Sequence, residues 1–425
     1  MSNIKDRVKG LLRLSERYTK TDMIYVAGNG GWLMLAQVVM GFIALGLSVA
    51  FAHFVPKDTY GTYRFLLSIY WTLTALSLTG LPTALSRAVA QGFDGAYVKS
   101  FRLSFLWSLP LSGIALLMAG YYFLNENMML SLGSAIIALL GPFMQMALLY
   151  GAFLEGKKDF KRMALYGIVL NASAALLTLC AMFFTANPLI FLGTYLLGNV
   201  LAGLFLCVLA YRRYRPAQKS STDLVPLAGH FSVMNILATV SQQIDKILVF
   251  HYLGAVQLAV YTFAVSLPEQ VKTAVNSIST LAFPKFARQS IADIKKNFWG
   301  RLWLFTGSLV LVALVYIFAA PFLFQLFFPT YPEAVFYSQI FALSLIFVSN
   351  AIPPTLLESH AAKKELYIFN TAVPVVQILT LIAGTAFYGL IGAIVARIVT
   401  RAFALLLGVL LVKNMSLVSI SSAEL

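Results

Sequence analysis

Charged residues are scarce: 11% of the 425 residues are charged and 60% are hydrophobic. That balance excludes an ordinary soluble domain, whose charged fraction is about a quarter, and equally excludes a disordered chain. Only two cysteines and four histidines are present. Cys180 and Cys207 sit in different apolar runs, near opposite ends of their helices. At about 1.5 Å of rise per residue they stand far beyond the roughly 7 Å limit for a bridge, so both read as small core residues and the redox compartment stays open. No metal-ligand cluster, phosphate-cradling glycine loop, nucleophile elbow or CxxC pair occurs, so no cofactor is expected and a metal site is excluded. Long polar loops are also missing between the apolar runs. TANP at 185–188 and LGAV at 253–256 are bare turns. An enzyme building polysaccharide at an outer membrane face needs a sizeable loop to carry its catalytic groups, and none is available.

Acidic residues number 16 against 31 Lys and Arg, a formal net charge of +15. In a soluble protein this would suggest nucleic acid. Here the basic residues lie in short loops between apolar runs of roughly 20 residues, the length that crosses about 30 Å of hydrocarbon, and nucleic-acid binding is rejected. The sequence predicts an all-α membrane protein with 12 transmembrane helices, near 31–53, 65–82, 103–124, 129–154, 164–184, 188–211, 228–253, 258–281, 302–324, 334–357, 366–386 and 389–412. Alternate loops carry the charge. Arg87, Lys99 and Arg102 follow span 2; Lys157, Lys158, Lys161 and Arg162 follow span 4; Arg212, Arg213, Arg215 and Lys219 follow span 6. Lys285, Arg288, Lys295, Lys296 and Arg301 follow span 8, Lys363 and Lys364 follow span 10, and Lys413 follows span 12. The intervening loops hold little beyond Lys57 and Arg64. By the positive-inside rule both termini are cytoplasmic. Residues 1–22, with Ile4, Val8, Leu11 and Leu12 on one helical face among basic residues, read either as an amphipathic helix on an anionic leaflet or as a frayed basic tail.

The polar connection at 212–226 falls near the middle of the chain. It divides the protein into a first six-helix bundle, 23–211, and a second, 227–412, followed by a cytoplasmic tail, 413–425. The halves match at a constant offset: His53 with His251, Tyr63 with Tyr261, Phe65 with Phe263, Ser68 with Ser266, Arg87 with Lys285 and Gln91 with Gln289. Leu154-Glu155 followed by KKDF and Leu357-Glu358 followed by KKEL make a second matched pair. Two pseudo-symmetric bundles, each of six spans, form a parallel repeat that can rock around a central cavity. That is a transporter's architecture.

Polar residues inside spans are costly, since a charge at the bilayer centre costs about 2.5–3.5 kcal/mol. Asn235, Thr239, Gln242 and Lys246 recur at spacings of four, three and four, so on one continuous helix they form a stripe, with Asp245 beside it. In the eighth span Thr262, Ser266, Glu269, Lys272 and Asn276 share a face, and Pro268 loosens the helix next to Glu269. Glu269 and Lys272 either neutralise each other within the helix or line a cavity. Arg397 and Arg401 lie one turn apart, too deep to reach water, and require an anion: Glu155, Glu358 or Asp245, or an anionic cargo. Lys246, Lys272, Arg397 and Arg401 are the candidate substrate-binding cations, Asn235, Thr239, Gln242 and Asn276 the polar lining, and Asp245 and Glu269 the acids available for coupling to a proton or sodium gradient. Gly141-Pro142, Pro321, Pro353-Pro354 and Pro374 are further candidate hinges.

The runs SQQIDKILVFHYLGAVQLAVYTFAVSL (241–267), FVPKDTYGTYRFLLSI (54–69) and LTGLPTALSRAVAQG (78–92) resemble the Wzx-type polysaccharide and O-antigen flippases. These form a branch of the multidrug/oligosaccharidyl-lipid/polysaccharide export superfamily. The family's usual glycine two residues before Tyr261 is Ala259 here. The resemblance implies a multi-pass protein of the bacterial inner membrane that moves an undecaprenyl-diphosphate-linked oligosaccharide from the inner to the outer leaflet. O-antigen, capsule or related polymers are the implied products. Membrane lipids are constant partners, and a polysaccharide polymerase and assembly proteins are possible ones. The alternative is a drug or cation exporter of the same superfamily, which calls for an acidic, aromatic cavity in place of a basic one. A major-facilitator carrier is disfavoured because SRAVAQGFDGAYVKS, after span 2, lacks that family's acidic-basic loop.

Overall fold

The computed structural model describes residues 23–216, 223–286, 291–359 and 362–414. The basic segment 1–22, part of the 212–226 connection and nearly all of the 413–425 tail lie outside these, and the side chain of Asn276 lies outside those described. Among the described residues all regular structure is helical. Among the described residues nine helices are long and apolar enough to cross a membrane, or ten if the pair Lys57–Leu76 and Leu81–Ala90, bent by 58°, is one span. Large apolar side chains such as Phe318 and Leu117 are 83% and 74% exposed, as a lipid-facing surface requires. The chain is an all-α, multi-pass membrane protein.

By their internal packing the residues divide into two compact units, one running to Phe250 with Gly254–Ala259 added, the other holding His251–Leu253 and everything from Val260 onward. The first unit contains α1 (Met23–Phe54), α2 (Lys57–Leu73), a 3-10 turn (Thr74–Leu76), α3 (Leu81–Ala90), α4 (Ala96–Leu124), α5 (Met128–Ala147), α6 (Leu149–Gly156), α7 (Phe160–Met182), α8 (Pro188–Tyr214), α9 (Leu224–Ser241) and the start of α10 (Ile244–Phe286). The second contains the rest of α10, α11 (Ile291–Phe327), α12 (Glu333–Ala342), a nine-residue 3-10 stretch (Leu343–Ala351), α13 (Ile352–Ser359) and α14 (Lys363–Asn414).

Local chemistry sets the helix ends. Asn127 caps α5 by accepting from the Leu130 amide at 3.1 Å, Asn187 caps α8 through the Leu189 amide at 2.9 Å, and Pro188 opens that helix where a missing N–H costs nothing. The breaks inside the longest helices fall at glycine. Gly254 in α10 has φ 84° and Gly389 in α14 has φ 58°, conformations that a side chain opposes. Pro321 and Pro374, expected as hinges, lie within helices without such a break.

In the first unit α4 packs along α5, α7 along both α8 and α1, and α3 against α6 and α9. A core of Leu81, Leu85, Tyr97, Phe153, Leu206 and their neighbours ties the loop-proximal ends together. Tyr97 stacks on Phe153 at 4.2 Å and donates its hydroxyl to the Cys207 carbonyl at 3.1 Å. α2 approaches the chain after the Gly254 break so closely that a Cβ on Gly61 would strike the Ala255 carbonyl, while Phe65 stacks on Phe250 at 3.7 Å. Gly61→Ala should therefore lower stability by about 1–3 kcal/mol through overpacking. Gly46→Ala, where nothing lies within 4 Å of the added methyl, should cost nothing, and the two thermal transitions in detergent make the comparison. In the second unit the 3-10 stretch packs between α11 and α14, over a core that includes Leu309, Tyr316 and Leu345.

Two sequence expectations change. The helix across 229–254 is not continuous: α9 ends at Ser241, Gln242 and Gln243 form a turn, and α10 begins at Ile244. The second span does not begin at Phe65 but at Lys57, so Arg64 belongs to a helix and not to a loop. The sequence KDTYGTYR is too polar to count as a span by hydropathy. Its tyrosines are nevertheless buried, Tyr60 and Tyr63 at 3% and 2% exposure, because they pack on Phe51.

Candidate functional site

In the second unit four titratable groups converge. α10 carries Tyr261, then Glu269 two turns further on and Lys272 one turn beyond that; past the Gly389 break, α14 carries Arg397 and Arg401 one turn apart. The Arg397 Nη2 donates to Glu269 Oε1 at 2.6 Å, and Arg401 Nη2 donates to the same oxygen. The Lys272 ammonium lies 3.5 Å from the other carboxylate oxygen. Arg401 also donates to Ser344 Oγ at 2.6 Å and Arg397 to the Tyr261 hydroxyl at 3.4 Å. Both guanidinium groups lie over the Phe341 ring, at 5.2 and 5.0 Å from its centre. Phe341 lies in the last turn of α12 and Ser344 at the start of the 3-10 stretch, so the junction of the two elements supplies both of these contacts. The arginine pair was expected to meet Glu155, Glu358 or Asp245, or an anionic cargo; within the protein both arginines pair with Glu269. Three cations surround one carboxylate, a net charge of two positive units among these four groups.

The first unit holds a cavity of about 260 Å³. The face of α2 formed by Tyr60, Tyr63, Arg64, Leu67, Ser68 and Trp71, spaced by threes and fours, makes one wall. Asn171 of α7, Tyr195 and Asn199 of α8, and Gln243 and Lys246 at the start of α10 complete it. Two cations line this cavity and no acid does. Lys246 Nζ donates to Gln243 Oε1 at 2.6 Å. Among the described residues Arg64 makes no ion pair, and its Nε is buried without a hydrogen-bond partner. An amphipathic reading of 60–71 would have found this arginine; hydropathy alone hid it.

The remaining candidates are distributed differently. Lys246 lines the first unit's cavity, while Lys272, Arg397 and Arg401 cluster in the second unit. Gln242 and Asn235 are exposed and Thr239 half-buried, none of them on the cavity wall, and the turn gives Gln243 the position assigned to Gln242. Asp245 is 1% exposed and accepts the Lys246 amide at 2.8 Å. Among the described residues no group of three or more His, Cys, Asp and Glu could hold a metal.

Residues 26–290, well over half the chain, match the model of a family described as polysaccharide biosynthesis protein. No curated protein sequence matches significantly. Among solved structures the chain is similar to a multidrug resistance MATE family transporter of the MOP superfamily in its outward-facing conformation, with 13% identity over 91% of this chain and 94% of that one and a TM-score of 0.62. The lipid II flippase MurJ, inward closed, is similar at 13% identity over 90% and 88%, TM-score 0.64. A MOP superfamily transporter from Pyrococcus furiosus, whose reversed binding-pocket polarity suggested a different function, is similar at 11% identity over 91% and 94%, TM-score 0.60. The fold is thus one found in transporters of that superfamily, and by its sequence the chain belongs to the polysaccharide biosynthesis protein family.

Proposed function

We propose that this protein is a flippase that carries an undecaprenyl-diphosphate-linked oligosaccharide from the inner to the outer leaflet of a bacterial inner membrane, for O-antigen, capsule or a related polysaccharide. The observation that carries the reading is the excess of positive charge held inside both units. Arg397, Arg401 and Lys272 share one carboxylate, and Arg64 and Lys246 line a cavity without any. A guanidinium pair presents parallel donors to a diphosphate, and tyrosines and amides around Arg64 and Lys246 suit sugar hydroxyls and rings. The prenyl tail stays in lipid while the polar head is exchanged between openings by alternating access. Asn235, Thr239, Gln242 and Asn276 are proposed as polar lining met during that exchange. Asp245 and Glu269 are the acids through which a proton or sodium gradient would couple. A polymerase that receives the flipped oligosaccharide is the natural partner.

The proposed topology is twelve spans with both termini cytoplasmic. Two of the nine candidate helices, Leu224–Thr273 and Lys364–Asn414, are 50 and 51 residues long and broken at Gly254 and Gly389. Counting each as two spans, and the bent pair at Lys57–Ala90 as one, gives twelve. MurJ, named as a lipid II flippase, lends the cargo class a chemical precedent. An exporter of cationic drugs would need acids where this chain has bases.

Removing the protein from cells that make a surface polysaccharide should abolish the surface polymer and accumulate its lipid-linked precursor, facing the cytoplasm, as read by glycolipid extraction with and without outside labelling. Intact surface polymer together with increased drug sensitivity would replace this reading with the exporter.

A further inference from the structure

A second basic site lies outside both groups of inward-facing cations, at the loop-proximal ends of α7 and α8. Asp159 caps α7 by accepting the Arg162 amide at 3.2 Å, and its other oxygen takes both the Arg162 guanidinium and the Tyr214 hydroxyl. Arg162 in turn donates to Tyr214 at 3.2 Å. Burial works against the charge of Asp159, but the hydrogen bonds from Tyr214 and Arg162 outweigh it and hold the carboxyl below its usual range. This lock fixes one wall of a cleft of about 760 Å³ lined by Arg162, Tyr166, Leu209, Arg212, Arg213 and Tyr214. Arg212 and Arg213 are exposed and, among the described residues, have no ion pair. Among the described residues three arginines and no acid line the cleft, and Asp159 beside it is already engaged, so the cleft is electropositive.

Its walls and surroundings say what fits. The candidate membrane-crossing helices Phe160–Met182 and Pro188–Tyr214 begin and end here. Away from the arginines the same face of α8 continues as Leu209, Phe205 and Leu201, spaced by fours and all exposed, and the matching face of α7 continues from Tyr166 to the exposed Val169. A phosphate-binding mouth therefore opens onto an apolar track that ends among the lipid-facing side chains. A soluble phosphate would use only the first of these, whereas a phospholipid would use both.

We propose that the α7–α8 cleft binds the headgroup of an anionic bilayer phospholipid, with Arg212 and Arg213 on the phosphate and one acyl chain along Leu209, Phe205 and Leu201. This resident lipid is distinct from the transported cargo, and the proposal does not depend on what that cargo is. The test is native mass spectrometry of the purified full-length protein in neutral detergent, titrated with phosphatidylglycerol, phosphatidylcholine or inorganic phosphate. Phosphatidylglycerol should bind in preference to phosphatidylcholine, and Arg212→Gln/Arg213→Gln should weaken it by about thirtyfold, on the scale of one juxtamembrane arginine per factor of five or so. Arg212→Gln alone should give an intermediate loss and provides the reading if the double variant has an altered thermal transition. Equal binding of the two lipids, unchanged phosphatidylglycerol affinity in the variants, or displacement of the lipid by millimolar phosphate would each overturn the proposal.

Discussion

Glu269→Gln should destabilise the protein by about 1–3 kcal/mol, less than breaking a fully buried ion pair would cost, because the Glu269 side chain is 26% exposed. Glutamine keeps the shape and removes the charge that Arg397, Arg401 and Lys272 all depend on. Arg401 is 7% exposed and Arg397 17%, so water replaces the lost carboxylate poorly at Arg401, where Ser344 and the Phe341 ring offer only a dipole and a quadrupole. Neighbouring like charges then face each other in a medium where they are weakly screened. The thermal transition in detergent should fall accordingly. Two further readouts separate charge imbalance from mere loss of packing. Glu269→Gln/Arg401→Gln should be less destabilised than the two single variants predict, with a coupling of about 0.5–3 kcal/mol. Diphosphate in solution should stabilise Glu269→Gln more than the parent, because the vacated position suits an anion and binding to the folded form raises the transition. An unchanged transition in Glu269→Gln would mean that the carboxylate does not balance these cations.

That cluster also shows how far the sequence could be read. Arg397 and Arg401, one turn apart in an apolar span, announce by themselves that an anion must be near, and they draw attention to the right helix. Their partner could not be found the same way, since Glu269 lies on another helix and had already been matched to Lys272 by local spacing. The membrane class was legible because it rests on local composition, whereas the breaks at Gly254 and Gly389 were not singled out: attention went to the prolines, and Pro321 and Pro374 lie within helices without such a break. What failed were inferences of continuity and of polarity. Nothing at Gln242–Gln243 carries proline or glycine, so the stripe from Asn235 to Lys246 looked unbroken. Arg64 looked like loop because hydropathy averages over a window and cannot see that Tyr60 and Tyr63 bury their rings against Phe51. Tyr63 and Tyr261, which the sequence offset pairs, each lie beside an arginine: Tyr63 lines a cavity with Arg64, and Tyr261 accepts from Arg397.

Arg64→Gln should weaken binding of undecaprenyl diphosphate by about tenfold to a hundredfold, the value of one charge-assisted hydrogen bond of 1.5–3 kcal/mol. In the same variant the thermal transition should hold steady or rise. The two halves of that expectation follow from one observation. Arg64 Nε is buried with no acceptor, and no acid lines the cavity, so the folded protein holds a desolvated donor that its own residues leave unsatisfied. Such a group costs about 1–3 kcal/mol in the absence of ligand, and a ligand oxygen that reaches it recovers that cost on binding. Glutamine removes the charge and shortens the side chain, so it relieves the unliganded protein and deprives the ligand. Lys246 differs because its ammonium already donates to Gln243. Lys246→Gln should therefore lose less affinity than Arg64→Gln. Calorimetry against undecaprenyl diphosphate and against undecaprenol, which lacks the phosphates, discriminates a phosphate contact from a contact with the tail. If Arg64→Gln instead lowered the thermal transition and left both affinities unchanged, Arg64 would be a structural cation and the first unit's cavity would lose its claim on the cargo.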